Sequence, residues 1–257
     1  MSENSAPNLI YGKNPVLEIL EKNPKRLNKI YIQQGISYDN RIKKIIELAN
    51  QKKIIIQKTS LQKFAQNFEK GTNFQGVIAS VSCIEYIELE DFLNIKKEGF
   101  KKLIILDGIC DPHNFGAIIR TAVCADFDGI LVSNHRSCPI TPIVEKISSG
   151  AINHIPVIKT SSLSHSIDVL KKNDFWVIAT QMEAKDNYFE IDYADMNFAV
   201  VMGSEGSGIS KTILNKADYK IKIPTNFESL NVSAATAIIV YEAIRQIYLK
   251  SNKVQNS

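Results

Sequence analysis

The chain has 257 residues, of which 44% are apolar and 23% charged, a composition that suits one large or two smaller globular domains and excludes a wholly disordered chain. Four cysteines with no C-x-x-C pair disfavour a zinc ribbon or a disulfide scaffold and are expected to be reduced thiols, mostly buried. The start, MSENSAPN, lacks the basic and apolar regions of a secretory signal, and no apolar run reaches the ~18 residues of a membrane span, so a cytoplasmic location, no membrane partner and disorder only at the ends are expected.

The net charge of +4 conceals an asymmetry. Residues 1–83 hold 13 Lys and Arg against 6 Asp and Glu, whereas the rest holds 18 against 21. A basic front suits nucleic acid, although an ordinary solvated surface can carry the same excess. In this part, KIYIQ (29–33) reads as a strand and DNRIKKIIELANQKK (39–53) as a helix. The helix sets Ile42, Ile45, Ile46 and Ala49 on one face, with Asp39 or Asn40 as cap. IIIQ (54–57) and GVIASVS (76–82) read as strands and complete a small α/β unit. Residues 84–100 mix acidic, basic and apolar positions and read as a linker with a short helix. Domains are therefore expected at 1–83 and 101–257.

Beyond the linker the strands are more apolar: LIIL (103–106), GILVS (129–133), FWVIAT (175–180), FAVVM (198–202) and YKIKI (219–223), with helical stretches between them. Such runs predict a parallel sheet buried on both faces.

Three stretches carry chemistry. DGICDPHNFGAIIRTA (107–122) groups Cys110, Asp111 and His113 with no partner cluster elsewhere, so a metal site is not expected. Asn114 reads as a helix cap, and Arg120 is the one charge on an otherwise apolar helix, with the small residues Gly116 and Ala117 four and three positions before it. An arginine near a helix N-terminus suits an anion or phosphate. VMGSEGSGIS (201–210) fits neither G-x-G-x-x-G nor a P-loop and could be a tight turn, but its glycines let the backbone approach a ligand and leave Glu205 at a strand's C-terminal end. IKIPTNFESLNVSAATAIIVYEAIRQIYLK (221–250) passes from a strand through a polar loop to a long helix beginning near Ser233. Its Ser229, Asn231 and Ser233 are open to turn and cap roles.

In this order the three stretches resemble motifs one, two and three of the SpoU (TrmH) family of RNA 2′-O-ribose methyltransferases, in the SPOUT superfamily. The front part is similar to the family's RNA-binding domain, itself of a ribosomal-protein type, through IYGKNPVLEIL (10–20) and GTNFQGVIAS (71–80). The resemblance implies a trefoil-knotted α/β domain preceded by a small α/β RNA-binding domain, a homodimer, and S-adenosylmethionine as cofactor. It further implies cofactor contacts at Gly203, Ile223 and Leu230, and catalytic roles around the reacting ribose for Asn114, Arg120, Glu205, Ser229 and Asn231. Glu205 as a plain helix-capping carboxylate is the alternative.

Departures from the family pattern are local. Thr225 stands for a usual Met, the loop before Glu228 is about two residues shorter, Ala237 stands for a frequent glycine, and Phe74 for a frequent histidine. In the family proposal the arginine is the base that takes the hydroxyl proton. A guanidinium binds its proton too tightly for that role, so Arg120 is expected to hold a phosphate and steer the 2′-hydroxyl. A guanosine in large-subunit ribosomal RNA is the expected target; transfer RNA methylation and a non-catalytic RNA-binding assembly factor are the rivals.

Overall fold

The computed structural model describes residues 8–67 and 70–255; the extreme ends, where disorder is expected, lie outside them. The chain divides into two compact units. The first takes Met1–Ile84 and Ile140–His154, the second Glu85–Pro139 and Ile155–Ser257.

In the first unit β1 (Asn8–Tyr11), α1 (Lys13–Lys22), β2 (Leu27–Gln33), α2 (Asn40–Gln51), β3 (Ile55–Thr59) and β4 (Val77–Val81) form a four-stranded sheet in the order β1-β4-β2-β3. β4 is antiparallel to both neighbours, and β2 runs parallel to β3. The expected periodicity of α2 is realised: Ile42, Ile45 and Ala49 are fully buried, and Asp39 caps the helix through the Ile42 N–H at 3.0 Å. α1 was not foreseen; it adds Val16, Ile19 and Leu20 to the same core, with Ile10, Ile30, Ile32, Val77 and Ala79 from the sheet. Because side chains alternate along a strand, Leu9, Tyr11, Tyr31 and Ile78 point to the other face, where a 3-10 turn at Leu61–Asn67 packs Leu61 and Phe64 against them.

The segment 140–154 belongs to this unit through a buried ion pair. The Arg26 guanidinium donates to Glu145 at 2.7 Å, to the Asn153 side chain at 2.7 Å and to the Ser82 carbonyl at 3.1 Å. His154 also contacts Glu18.

The second unit supplies α3 (Leu89–Asn94), β5 (Lys102–Asp107), α4 (Pro112–Cys124) and β6 (Gly129–Ser133). α5 (Pro142–Ile147) lies in the segment that goes with the first unit. The second then continues with β7 (Val157–Thr160), α6 (Leu163–Lys172), β8 (Phe175–Thr180), β9 (Asp186–Asn187), β10 (Asn197–Gly203), α7 (Lys211–Leu214), β11 (Tyr219–Lys222) and α8 (Val232–Gln255). Seven strands pair in the order β7-β6-β5-β10-β8-β11-β9, every pairing parallel. The five expected strands are all present, and their apolar runs are explained by burial: every residue of β5 is buried. α3 stands where a short helix was expected, and its Leu89 and Phe92 are part of this unit's core.

One expectation is corrected. Cys83, Cys110 and Cys124 are exposed and only Cys138 is buried, because three of the four fall in loops or at a helix end rather than on core faces. Among the described residues one helix, α8, is long and apolar enough over Val232–Asn252 to cross a membrane by length and composition alone, with a mean hydropathy of 1.2. Its Val232, Thr236, Ile239, Val240 and Ala243 are buried, where it packs on α4 and β10.

Candidate active site

All seven strands of the larger sheet point the same way, so the loops that follow them gather along one edge. β5 leads by α4 toward β6 and β7, whereas β8, β10 and β11 lie on the other side. The order reverses between β5 and β10, and in open α/β sheets ligands bind at the carboxyl ends of the strands at such a point. The three chemistry-bearing stretches follow β5, β10 and β11.

After β5, α4 begins earlier than expected. Asp111, not Asn114, is the cap: its carboxylate accepts the His113 N–H at 3.0 Å, and Pro112 occupies the first helical position. Proline is favoured there because its missing N–H would have no partner in any case. Asn114 is thereby released from capping. Its amide donates to Oε1 of Glu205 at 3.2 Å, and its carbonyl oxygen accepts from the Asn231 amide at 2.9 Å.

After β10 the chain turns tightly. A Cβ on Gly203 would lie 2.3 Å from the carbonyl carbon of Gly208 and 2.5 Å from the nitrogen of Ile209, so no larger residue fits there. Gly208 completes the turn at φ +64°, a conformation that costs glycine little. The Gly208 N–H donates to Ser204 at 3.0 Å, and the buried Asp107 at the end of β5 accepts the Ser210 N–H at 2.8 Å. Glu205 sits at the tip of this braced turn.

After β11, Asn231 caps α8. Its side-chain oxygen accepts the Ser233 N–H at 3.0 Å, while its amide donates to Glu205 at 2.6 Å. The Val232 N–H reaches the same Oε1 at 3.4 Å. Glu205 therefore supports the start of α8, and also closes a hydrogen-bonded triangle with Asn114 and Asn231 that draws on all three stretches.

Beside the triangle lies a cavity of about 450 Å³, within the usual range for small-molecule sites. Gly203, Ile223, Leu230, Ser229 and Glu205 line it, so the three expected cofactor contacts and two of the catalytic candidates share one site. Its apolar walls, Met202, Ile209, Ile221 and Ile239, and the bracing Asp107 were missed by sequence reasoning. The acid that ends the apolar run LIILD was a usable signal for Asp107, whereas nothing distinguishes wall residues from core in a sequence. Arg120 is exposed on α4, six residues beyond Asn114 and so about 120° away from it around the helix. Among the described residues no group of three or more His, Cys, Asp or Glu side chains is arranged to hold a metal ion.

The sequence pattern of the SpoU rRNA Methylase family matches residues 101–241, and that of the RNA 2′-O ribose methyltransferase substrate-binding domain matches residues 9–87. The chain belongs to the SpoU/TrmH family of RNA methyltransferases. A Staphylococcus aureus (strain MSSA476) protein named for the TrmH family of tRNA/rRNA methyltransferases is 40% identical over 243 residues, covering 93% of this chain and 96% of its own. The structure of an AdoMet-bound rRNA methyltransferase from Sinorhizobium meliloti superposes with a TM-score of 0.78 at 21% identity, over 93% of this chain and 87% of the other. A TrmH/SpoU tRNA-modifying enzyme of A. aeolicus superposes with a TM-score of 0.55 at 30% identity, over 63% and 82%. For this SpoU-family chain, the likeness at 21% identity bears on the fold.

Proposed function

We propose that this protein is an S-adenosylmethionine-dependent RNA 2′-O-ribose methyltransferase acting on a guanosine of large-subunit ribosomal RNA. The observation that carries the reading is the meeting of the Asn114–Glu205–Asn231 triangle with the cavity lined by Gly203, Ile223, Ser229 and Leu230. The residues suit the cofactor: apolar walls fit an adenine ring, the glycine turn lets backbone groups approach, and few polar side chains remain to orient the polar tail. When bound, S-adenosylmethionine supplies an electrophilic methyl group on a sulfonium.

The chain's own task is alignment and proton removal. Asn114, Glu205 and Asn231 hold one another before substrate arrives, so little ordering remains to be done at the moment of reaction. Glu205 and Asn114 orient the ribose 2′-hydroxyl, Ser229 supplies a further hydrogen bond beside the cavity, and Arg120 grips the RNA phosphate and steers the hydroxyl toward the methyl. The proton leaves late, through water. Because Arg120 is not among the cavity-lining residues of its own chain, a homodimer in which each chain completes the other's site is part of the proposal. The trefoil knot is part of it too, as is a division of labour in which residues 1–83 bind RNA.

Ribosomal RNA is favoured by the two-unit layout: the likeness to the rRNA methyltransferase spans 93% of the chain, that to the tRNA-modifying enzyme 63%. The decisive experiment supplies methyl-labelled cofactor with unmodified ribosomal RNA and, separately, transfer RNA, followed by alkaline digestion. Label in an alkali-resistant dinucleotide from ribosomal RNA is the expected outcome. Label from transfer RNA alone would transfer the activity to the rival substrate, and absence of cofactor binding would end the enzymatic reading.

A further inference from the structure

The first unit sorts its side chains unusually. Its fully buried core beneath α1 and α2 is aliphatic throughout. The rings collect on the opposite face of the sheet: Tyr11 and Phe74 pack edge to face with centroids 5.8 Å apart, and Tyr31 and Phe64 lie tilted at 4.7 Å. All four are half-buried, over a floor of Leu9, Leu61 and Ile78.

Lysines attend these rings. Lys29 lies 5.5 Å from the Tyr31 centroid, Lys63 lies 5.6 Å from Tyr31 and 5.1 Å from Phe64, and Lys146 lies 5.3 Å from Tyr11. Such contacts contribute little at an exposed site, and the amines ride on long flexible stems. An ordinary solvent-facing sheet surface would carry short polar side chains. Partly exposed aromatic faces beside mobile cations are instead the two elements with which proteins hold single-stranded nucleic acid: bases stack on the rings, and ammonium groups track the phosphates.

We propose that this face, built on Tyr11, Tyr31, Phe64 and Phe74 with Lys29, Lys63 and Lys146, binds unpaired nucleotides of the RNA substrate by stacking. The inference rests on the RNA methyltransferase reading and deepens it, since it specifies a single-stranded segment rather than a duplex. A duplex keeps its base faces stacked internally and offers these rings nothing. As a base slides over Tyr31 or Phe64, Lys63 exchanges the ring for the adjoining phosphate, so the positive charge is retained as the ring is covered.

The test uses the full chain with a fluorescein-labelled ten-nucleotide oligouridylate and a ten-base-pair RNA duplex, read by anisotropy across a salt series. Tyr31→Leu and Phe74→Leu should each weaken oligouridylate binding roughly fivefold or more while leaving the duplex unaffected. The Lys29→Gln/Lys63→Gln pair should weaken both and flatten the salt dependence of oligouridylate binding by a slope of about 1.4. Wild-type affinity of both leucine variants for oligouridylate, or equal affinity of the wild type for the two RNAs, would overturn the proposal. Photo-crosslinking of 5-iodouridine-substituted oligouridylate to the unmutated protein gives an answer independent of variant folding. Adducts should map to Tyr11, Tyr31, Phe64 or Phe74, and adducts confined to other residues would overturn it. Cofactor titration separates the two claims: unchanged cofactor binding with neutral leucine variants would defeat this inference alone, and loss of cofactor binding in the wild type would defeat only the catalytic reading.

Discussion

The two units use a sheet in opposite ways. In the larger one both faces of the sheet are spent on packing, and what remains available is its carboxyl edge, where three loops bring Asn114, Glu205 and Asn231 together. In the smaller one α1 and α2 cover one face, and the other, only partly covered by the 3-10 turn, keeps its rings and lysines half-exposed. A closed sheet offers points, which suit chemistry at one atom; an open face offers area, which suits holding a flexible chain. The two should therefore fail differently when altered.

The largest expected effect is on the smaller unit's stability. Arg26→Ala leaves Glu145 buried without its cation, at a cost of about 3–5 kcal/mol, measurable as a lowered urea midpoint. If stability barely changes, the pair does not hold segment 140–154 in place. At the larger unit's edge, Glu205→Ala should lower single-turnover methyl transfer by roughly 100-fold, as misplacement of reacting groups does, with the thermal midpoint nearly unchanged. Equal loss of rate and stability would mean that Glu205 serves mainly to cap α8.

A smaller effect is expected from Asp111→Ala, which removes the α4 cap at about 1 kcal/mol. Asn114 would then compete for the vacant capping role, so the rate should fall more than the stability explains; a purely thermal effect would contradict the separation of the two roles. Smallest is the response to acid. Hydrogen bonds from Lys44, Lys13, Lys216 and Arg245 hold Glu21, Asp39, Asp168 and Glu242, respectively, below their usual values. Carboxylates depressed in the folded state stabilise it above their unfolded values and lose that contribution as the pH falls through the lower folded ones. The contribution of these groups should thus be constant from pH 8 to about 5 and decline below about pH 4, as thermal melts at stepped pH would reveal. A decline already at pH 6 would point to other groups.

Much of this was legible from residue order. Strands such as LIIL and FWVIAT announce a buried parallel sheet because nearly every position is apolar, and Ile42, Ile45 and Ala49 announce α2 by spacing alone. The candidate residues could be named from the three motifs, but their mutual arrangement could not: Asn114 and Asn231 bond across 117 positions of sequence. The misassigned cap has the same origin, since Asp111 and Asn114 are both good caps locally and only the distant Glu205 and Asn231 give Asn114 other work. Pattern also failed at the cysteines, where residue type suggests burial but position in the loops decides it, and at the aromatic face, whose members are scattered from Tyr11 to Phe74.

The assignment of residues 140–154 to the first unit has a consequence for biosynthesis. That unit is not complete when its first 84 residues have emerged from the ribosome. Arg26 must wait for Glu145 and Asn153, which are translated only after β5, α4 and β6 of the other unit. The nascent chain cannot finish its smaller unit first and then start the larger. The two are interleaved in time, and a fragment ending at residue 84 would carry an arginine built for burial with no acid to meet it.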